Sequence, residues 1–367
     1  MSDINIVCFD PSYLFSDLVK RFEGRGCVFS EFPLASAKTY VWMRPQEYVA
    51  YLDFIEGIEP EDVTSKFVSA INKIENQITL DKLKKRSVVI HHGICPDPIY
   101  QFDAYNSTIK LSDVARVVGV CPFDDCYRQM SNIGNKNNFS FCPIGYDHEV
   151  FSEEYIKDKK NSDKENVLNI GFVGRAYGTT DESLLNSSIK ASPKGYIKGG
   201  DHLLNLSLRL KALDVKFKIH ILGQNWEEQV KLFDTYGIDC HYYQRDKDIK
   251  YTDYPKIYAG FDLLIVTSRG ESGPVPVLEA LSLGVPVVGC ENAGMVKYVA
   301  TITSGCHTYK YDTKWHIAEI EKLTEHILRL RQKPLALRDK LMLRKDIEQY
   351  TTINWINTIM KYSEGLT

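Results

Sequence analysis

Short apolar runs rich in β-branched residues alternate along the chain with stretches whose apolar positions recur at helical spacing. Ile4 to Phe9, INIVCF, predicts a buried strand, and Leu14 to Phe22, LFSDLVKRF, a helix. RSVVIHHG predicts a strand over Ser87 to Ile90 that ends on two histidines, and VARVVGVC a third strand. Alternation of this kind is the signature of a parallel α/β sheet. From Glu153 to Glu165 the pattern collapses into EEYIKDKKNSDKE, almost free of apolar residues, which reads as a linker.

A second alternation then begins. VLNIGFVG (Val167 to Gly174) is a strand into a glycine turn, DHLLNLSLRLKAL an amphipathic helix, and KFKIHILG a strand ending at Gly223. FDLLIVTS is a strand, ESGPVPVLEALSLG a loop and helix, and VPVVGC a further strand. KWHIAEIEKLTEHILRLRQ and RKDIEQYTTINWINTIMKYSE predict two closing helices. The expectation is two α/β halves: an N-terminal domain over 1–160, a second over 161–345, and a last helical segment over 346–367. The length of 367 residues agrees, since domains typically run to roughly 100–200 residues.

Composition narrows the function classes. With 45 Lys+Arg against 48 Asp+Glu, the net charge is -3, which gives no electrostatic case for nucleic acid or a strongly anionic membrane. No run reaches the ~18–20 apolar residues of a membrane span. Asp3 stands where a signal peptide would carry positive charge. The nine cysteines form no CxxC pair and no zinc-type spacing, so reduced thiols in a cytoplasmic protein are expected. DKLKKRS (Asp81 to Ser87) is a short basic patch that reads as a solvated helix end, leaving at most a peripheral contact with the inner face of a membrane.

The chemistry concentrates in Ser268 to Gly289, SRGESGPVPVLEALSLGVPVVG. A strand over Asp262 to Val266 leads into a loop and then a helix starting near Pro276 and ended by Gly284 and Pro286. Ligands of open α/β sheets bind at the carboxyl ends of strands, and a helix start there offers free amides to a phosphate. The amides available are those of Ser272, Gly273, Val275 and Val277, since Pro274 and Pro276 donate nothing. Glu271 and Glu279 bracket this anion site. Carboxylates there make sense as acceptors of hydrogen bonds from sugar or ribose hydroxyls; the alternative is a helix-start glutamate favoured by the dipole, with a solvated partner.

This segment resembles the E-x7-E signature of retaining glycosyltransferases with two facing Rossmann-like domains (GT-B type), and is most similar to glycosyltransferase family 4, the group 1 glycosyl transferases. Ser268, Glu271, Gly273, Pro276, Leu278, Glu279, Ala280, Gly284, Pro286, Val287 and Val288 fall in step with the family pattern. Ser272 and Ser282 replace its usual glycine and alanine. NAGM, Asn292 to Met295, is similar to the following glycine turn. IGFVGR resembles the family's strand ending in a glycine and an arginine, Gly174 and Arg175, and KGGDHLL its K-G-x-D-x-L helix start, with Lys198 as the lysine. Lys194 is a rival four residues earlier. The 22 residues between Arg175 and Lys198 make an unusually long polar insertion.

The resemblance implies catalytic roles for Glu271, Arg175, Lys198 and one of His91 and His92. It implies donor binding by Ser272, Gly273, Pro274, Val275, Glu279, Gly174, Gly223, Tyr243 and Gln244, and, in the N-terminal domain, loop candidates Asp10 and Ser12 on the acceptor side. FCPIGYDHEVF is similar to the segment that closes the family's N-terminal domain, and YTTINWINTIMKYSE to the last helix, which crosses back to it. The implied reaction moves a sugar from a UDP- or GDP-linked donor to a hydroxyl of a glycan, lipid-linked or other acceptor, in glycan or polysaccharide biosynthesis. The implied cations do the work of a metal, so no metal and no cofactor are expected; Asp246-Lys247-Asp248 reads as a solvated turn. A GT-B-fold sugar-nucleotide 2-epimerase, a non-catalytic sugar-nucleotide-binding subunit and a phage-type DNA-base glycosyltransferase are the alternatives.

Overall fold

The computed structural model describes residues 3–9, 21–58, 69–73, 78–91, 111, 113–120, 138–156, 167–176, 195–245, 247–271, 273, 275–312, 314–315 and 317–366. They build two six-stranded sheets and a two-stranded ribbon. The first sheet contains β1 (Ile4–Val7), β2 (Val28–Ser30), β3 (Thr39–Trp42), β4 (Ser87–His91), β5 (Arg116–Gly119) and β6 (Phe139–Phe141), in the order β2-β1-β3-β4-β5-β6. Helices α1 (Pro45–Glu56) and α2 (Leu80–Lys85) belong to this half. Every pairing in the sheet is parallel.

The second sheet contains β7 (Leu168–Arg175), β8 (Phe217–Gln224), β9 (Cys240–Gln244), β10 (Leu263–Val266), β11 (Val287–Cys290) and β12 (Cys306–Tyr309). Its helices are α3 (Gly200–Ala212), α4 (Glu227–Thr235), α5 (Tyr254–Tyr258), α6 (Val275–Ser282), α7 (Gly294–Val299), α8 (Ile320–Gln332) and α9 (Leu337–Asp346). The order β12-β11-β10-β7-β8-β9, parallel throughout, is that of a dinucleotide-binding sheet. Strand order reverses between β7 and β10, and the crevice above their carboxyl ends is where such sheets hold ligands. Buried strands of this kind read as continuous apolar runs, which explains why LLIV and VVGC were legible.

The final helix α10 (Thr352–Glu364) returns to the first sheet. Trp355, Ile356 and Ile359 are buried with Ile4, Ile6, Val41 and Val88, and Trp355 meets Phe22 edge to face at 5.9 Å. The turn into α10 is locked to the chain that leaves the first sheet. Tyr146 N donates to Tyr350 O at 3.0 Å, and Thr352 N and Oγ1 donate to Tyr146 O and Gly145 O, each at 2.9 Å.

Two elements differ from expectation. RKDIEQYTTINWINTIMKYSE is not one helix: α9 ends at Asp346, and Thr351 caps a new helix by accepting from Asn354 N at 3.3 Å. Likewise the residues ahead of α8 form the ribbon of Tyr311–Asp312 against Ile317–Ala318, so the closing segment holds three helices. The basic run near Asp81 lies on α2, where Lys85 pairs with Asp81 at 2.8 Å and Lys82 donates to Ala35 O at 2.8 Å. The linker begins with a 3-10 turn over Glu153–Tyr155; the rest of it from 157, the early helix up to Lys20 and most of the insertion after Arg175 lie outside the described residues. Among the described residues, no helix is long and apolar enough to cross a membrane, six cysteines are free, and no group of His, Cys, Asp or Glu could hold a metal ion.

Candidate active site

β7 and β8 deliver the first part of the site. Gly174 and Gly223 are register partners, with Arg175 opposite Gln224 at the strand ends. Gly223 is confined by sterics: a Cβ there would lie 1.8 Å from Gly174 O. That carbonyl also accepts the Trp226 indole N–H at 2.8 Å, so the exit of β7 has a fixed shape. Arg175 is the last residue of β7, at the strand reversal.

Lys198 arrives on the turn ahead of α3 and lies beside the end of β7. It stands one residue before Gly199, whose φ of 68° caps α3. A Cβ at Gly199 would lie 2.1 Å from Thr267 O, so the turn packs directly on the end of β10. Lys198 O accepts the Thr267 hydroxyl at 2.6 Å. The Lys198 side chain, 10% exposed, then reaches Glu271, with Nζ 2.5 Å from Oε1. Ser268 Oγ donates to the second oxygen, Oε2, at 2.8 Å. Glu271 is held at the backbone too, since Gly294 N donates to its carbonyl at 2.7 Å. The K-G-x-D-x-L lysine, the first glutamate and the NAGM glycine are therefore one cluster.

Gly273 and Val275 follow at the start of α6 and face the first domain. A Cβ on Gly273 would lie 3.2 Å from Cγ2 of Val120, the residue after β5, and Val275 packs on the first domain's core. Val120 N donates to His91 O at 3.1 Å. His91, 2% exposed, thus ends β4 at the carboxyl end of the first sheet, beside the strand whose exit meets the loop ahead of α6. His92, Ser272, Pro274, Asp10 and Ser12 lie outside the described residues.

Glu279 has a different setting from Glu271. It is 3% exposed, and its oxygens accept Tyr251 Oη at 2.7 Å and Tyr258 Oη at 2.8 Å. Burial pushes its pKa up to about 7, although both tyrosine hydrogen bonds and the Arg245 charge favour the carboxylate. The two tyrosines are raised well above their ordinary range by burial and the adjacent carboxylate. Gln244 lies at the end of β9, with its side-chain amide 3.3 Å from Glu227 Oε1. Tyr243 stacks on His220 at 6.1 Å and abuts His241 at 4.2 Å, so its ring packs within the sheet's histidine cluster. Asp248 accepts from Gln244 N at 3.1 Å, consistent with a turn.

Tyr251, Tyr258 and Thr267 support Glu279 and Lys198 but carry no recognisable spacing, whereas Ser268, which holds Glu271, stands in the motif. Tyr251 and Tyr258 precede Glu279 by 28 and 21 positions.

Residues 191–336 match the family model of glycosyl transferases group 1. The match falls on the half that carries the Lys198–Glu271 cluster, and the two-sheet fold is of the GT-B type. No curated protein sequence matches the chain. Solved structures match over the whole chain. HepE from Anabaena, in complex with UDP and glucose, superposes with a TM-score of 0.64 at 14% identity, covering 100% of both chains. Sucrose-phosphate synthase from Thermosynechococcus elongatus gives 0.66 at 11% identity, over 100% of this chain and 99% of that one. WaaG, a glycosyltransferase involved in lipopolysaccharide biosynthesis, gives 0.59 at 14% identity over 99% of each chain. At these identities the likeness is one of fold.

Proposed function

We propose that this protein is a glycosyltransferase that moves a sugar from a nucleotide-diphosphate donor to a hydroxyl acceptor with retention of anomeric configuration, without a metal ion. The observation that carries the reading is the Lys198–Glu271 contact at the strand reversal of the second sheet, beside the end of β7 that bears Arg175. A leaving diphosphate develops negative charge, and preorganised cations aimed at that charge lower the barrier. Arg175 and Lys198 supply the cations, and the amides of Gly273 and Val275 at the start of α6 add the helix-terminal field. Glu271 accepts hydrogen bonds from the donor sugar's hydroxyls, and Glu279, with its tyrosines, serves the ribose.

The chemistry needs no protein nucleophile. The bond between the anomeric carbon and the diphosphate oxygen breaks, and the acceptor oxygen bonds to that carbon on the same face. The acceptor's proton passes to the departing phosphate oxygen. His91 or His92 borders the donor sugar from the first domain, which also holds the acceptor. A role in glycan or polysaccharide assembly fits HepE, which was solved with UDP and glucose, and WaaG, which is involved in lipopolysaccharide biosynthesis.

The test is a panel of UDP- and GDP-sugars scored by thermal shift and by release of the nucleotide diphosphate. A ligand that binds the native state alone raises the melting midpoint. The reading expects one donor to raise it and to be hydrolysed slowly in water, faster with an acceptor sugar. No shift with any member of the panel would contradict it.

A further inference from the structure

The turn that carries Lys198 is gripped from behind by a residue with no place in the motif. Arg269 is the second residue after Thr267 and is 3% exposed, so it does not border the open crevice. Its backbone N donates to Ile197 O at 2.8 Å. Its guanidinium donates through Nη1 to Tyr196 O and through Nη2 to the Asp201 carboxylate. The same group lies over the Tyr196 ring, 3.8 Å from its centroid, and 5.0 Å from that of Tyr311. With Thr267 holding Lys198 O, the carbonyls of 196, 197 and 198 are all taken by residues leaving β10.

We infer that Arg269 is a positioning residue for sugar transfer: its guanidinium and backbone amide clamp the 196–201 turn and so hold Lys198 at the diphosphate site. The inference rests on the role proposed above for Lys198. Lysine is a flexible four-carbon stem with a point charge, and only its backbone and surroundings can fix where the ammonium stands. Arginine suits the clamp because its planar fork serves two acceptors at fixed angles while stacking on aromatic faces. A lysine at 269 keeps the charge toward Asp201 but cannot also hold the Tyr196 carbonyl. A displacement of about 1 Å at a reacting centre costs on the order of 100-fold in rate. The Asp201 pairing partner sits in the first turn of α3, so the clamp also sets where that helix begins.

The experiment is a double-mutant cycle on the full chain, reading UDP release from UDP-glucose or GDP release from GDP-mannose, whichever the wild type turns over. Wild type, Lys198→Ala, Arg269→Lys and the double variant are compared, with melting curves to confirm folding. Arg269→Lys is expected to lower kcat by about 10- to 100-fold while donor KM changes by less than about threefold. In the Lys198→Ala background the same change is expected to cost less than about twofold, because the lysine it positions is gone. Should Arg269→Lys fail to fold, Asp201→Asn replaces it in the same cycle, releasing one arm of the fork. Equal losses in both backgrounds would overturn the clamp and leave the role of Lys198 intact. An unimpaired Lys198→Ala would overturn that role, and the clamp with it.

Discussion

Lys198 and Glu271 neutralise each other across 2.5 Å at the point where a leaving diphosphate would need the cation. Glu271 therefore competes with the diphosphate for the ammonium. Removing its charge while keeping its shape should tighten product binding and still slow the reaction. Glu271→Gln is expected to bind UDP or GDP several-fold more tightly in calorimetric titration, as charge competition at short range predicts. Unchanged or weaker nucleotide binding in that variant would show that the cation does not serve the diphosphate.

The two glycines at the exits of β7 and β8 should behave differently. Gly223→Ala places a methyl 1.8 Å from Gly174 O and must push the strands apart, costing ~2–3 kcal/mol of stability. Gly174→Ala strains a backbone at φ 155° but puts its methyl at an ordinary 3.6 Å from Lys198 Cε, so it should lower turnover with a smaller loss of stability than Gly223→Ala, which adds the clash. Chemical denaturation and donor turnover of both variants check the contrast. Equal stability losses would refute it.

Glu279 should make stability depend on pH. Its folded pKa of about 7 lies above the ordinary 4.5. Below the lower value both states carry the proton, and between the two only the folded state does. Its contribution to stability is thus complete at low pH and is lost as pH rises through about 7. Glu279→Gln keeps a neutral partner for Tyr251 and Tyr258 and removes this titration. Melting temperatures across the range should fall more steeply for wild type than for Glu279→Gln. Parallel curves would mean the carboxylate is not held protonated.

Chelation should leave the reaction intact. Arg175 and Lys198 occupy the place in the reading that a divalent ion takes in metal-dependent transfer. Turnover in excess EDTA is expected to equal turnover with added magnesium or manganese. Activity restored only by a divalent ion would remove the premise that these two side chains carry the charge.

In the second domain β10 and β11 were legible because they are buried on both faces and therefore read as unbroken apolar runs. The spacing of Glu271, Gly273 and Glu279 was legible because one loop and one helix carry it. Arg269 was not, since its partners Tyr196, Asp201 and Tyr311 come from the turn ahead of α3, its first turn and the two-stranded ribbon, and it occupies a variable slot of the motif. The tyrosine pair around Glu279 was hidden for the same reason: α5 and the turn before it meet α6 only in the folded sheet. The break at Thr351 was missed because apolar periodicity continues through it, while its cap is set by contacts to Gly145 and Tyr146 in a distant segment. The first domain offered less, because its contact with Gly273 runs through Val120, an aliphatic residue with no motif around it.

The most direct test of the account is donor turnover by Arg175→Ala, Lys198→Ala and Glu271→Ala, each shown to be folded by circular dichroism and melting. Loss of one preorganised charge or donor at a transition state typically costs about 100- to 1,000-fold in kcat. The account predicts losses of that order in all three variants, with the folded state retained. Near-normal turnover in all three would contradict it.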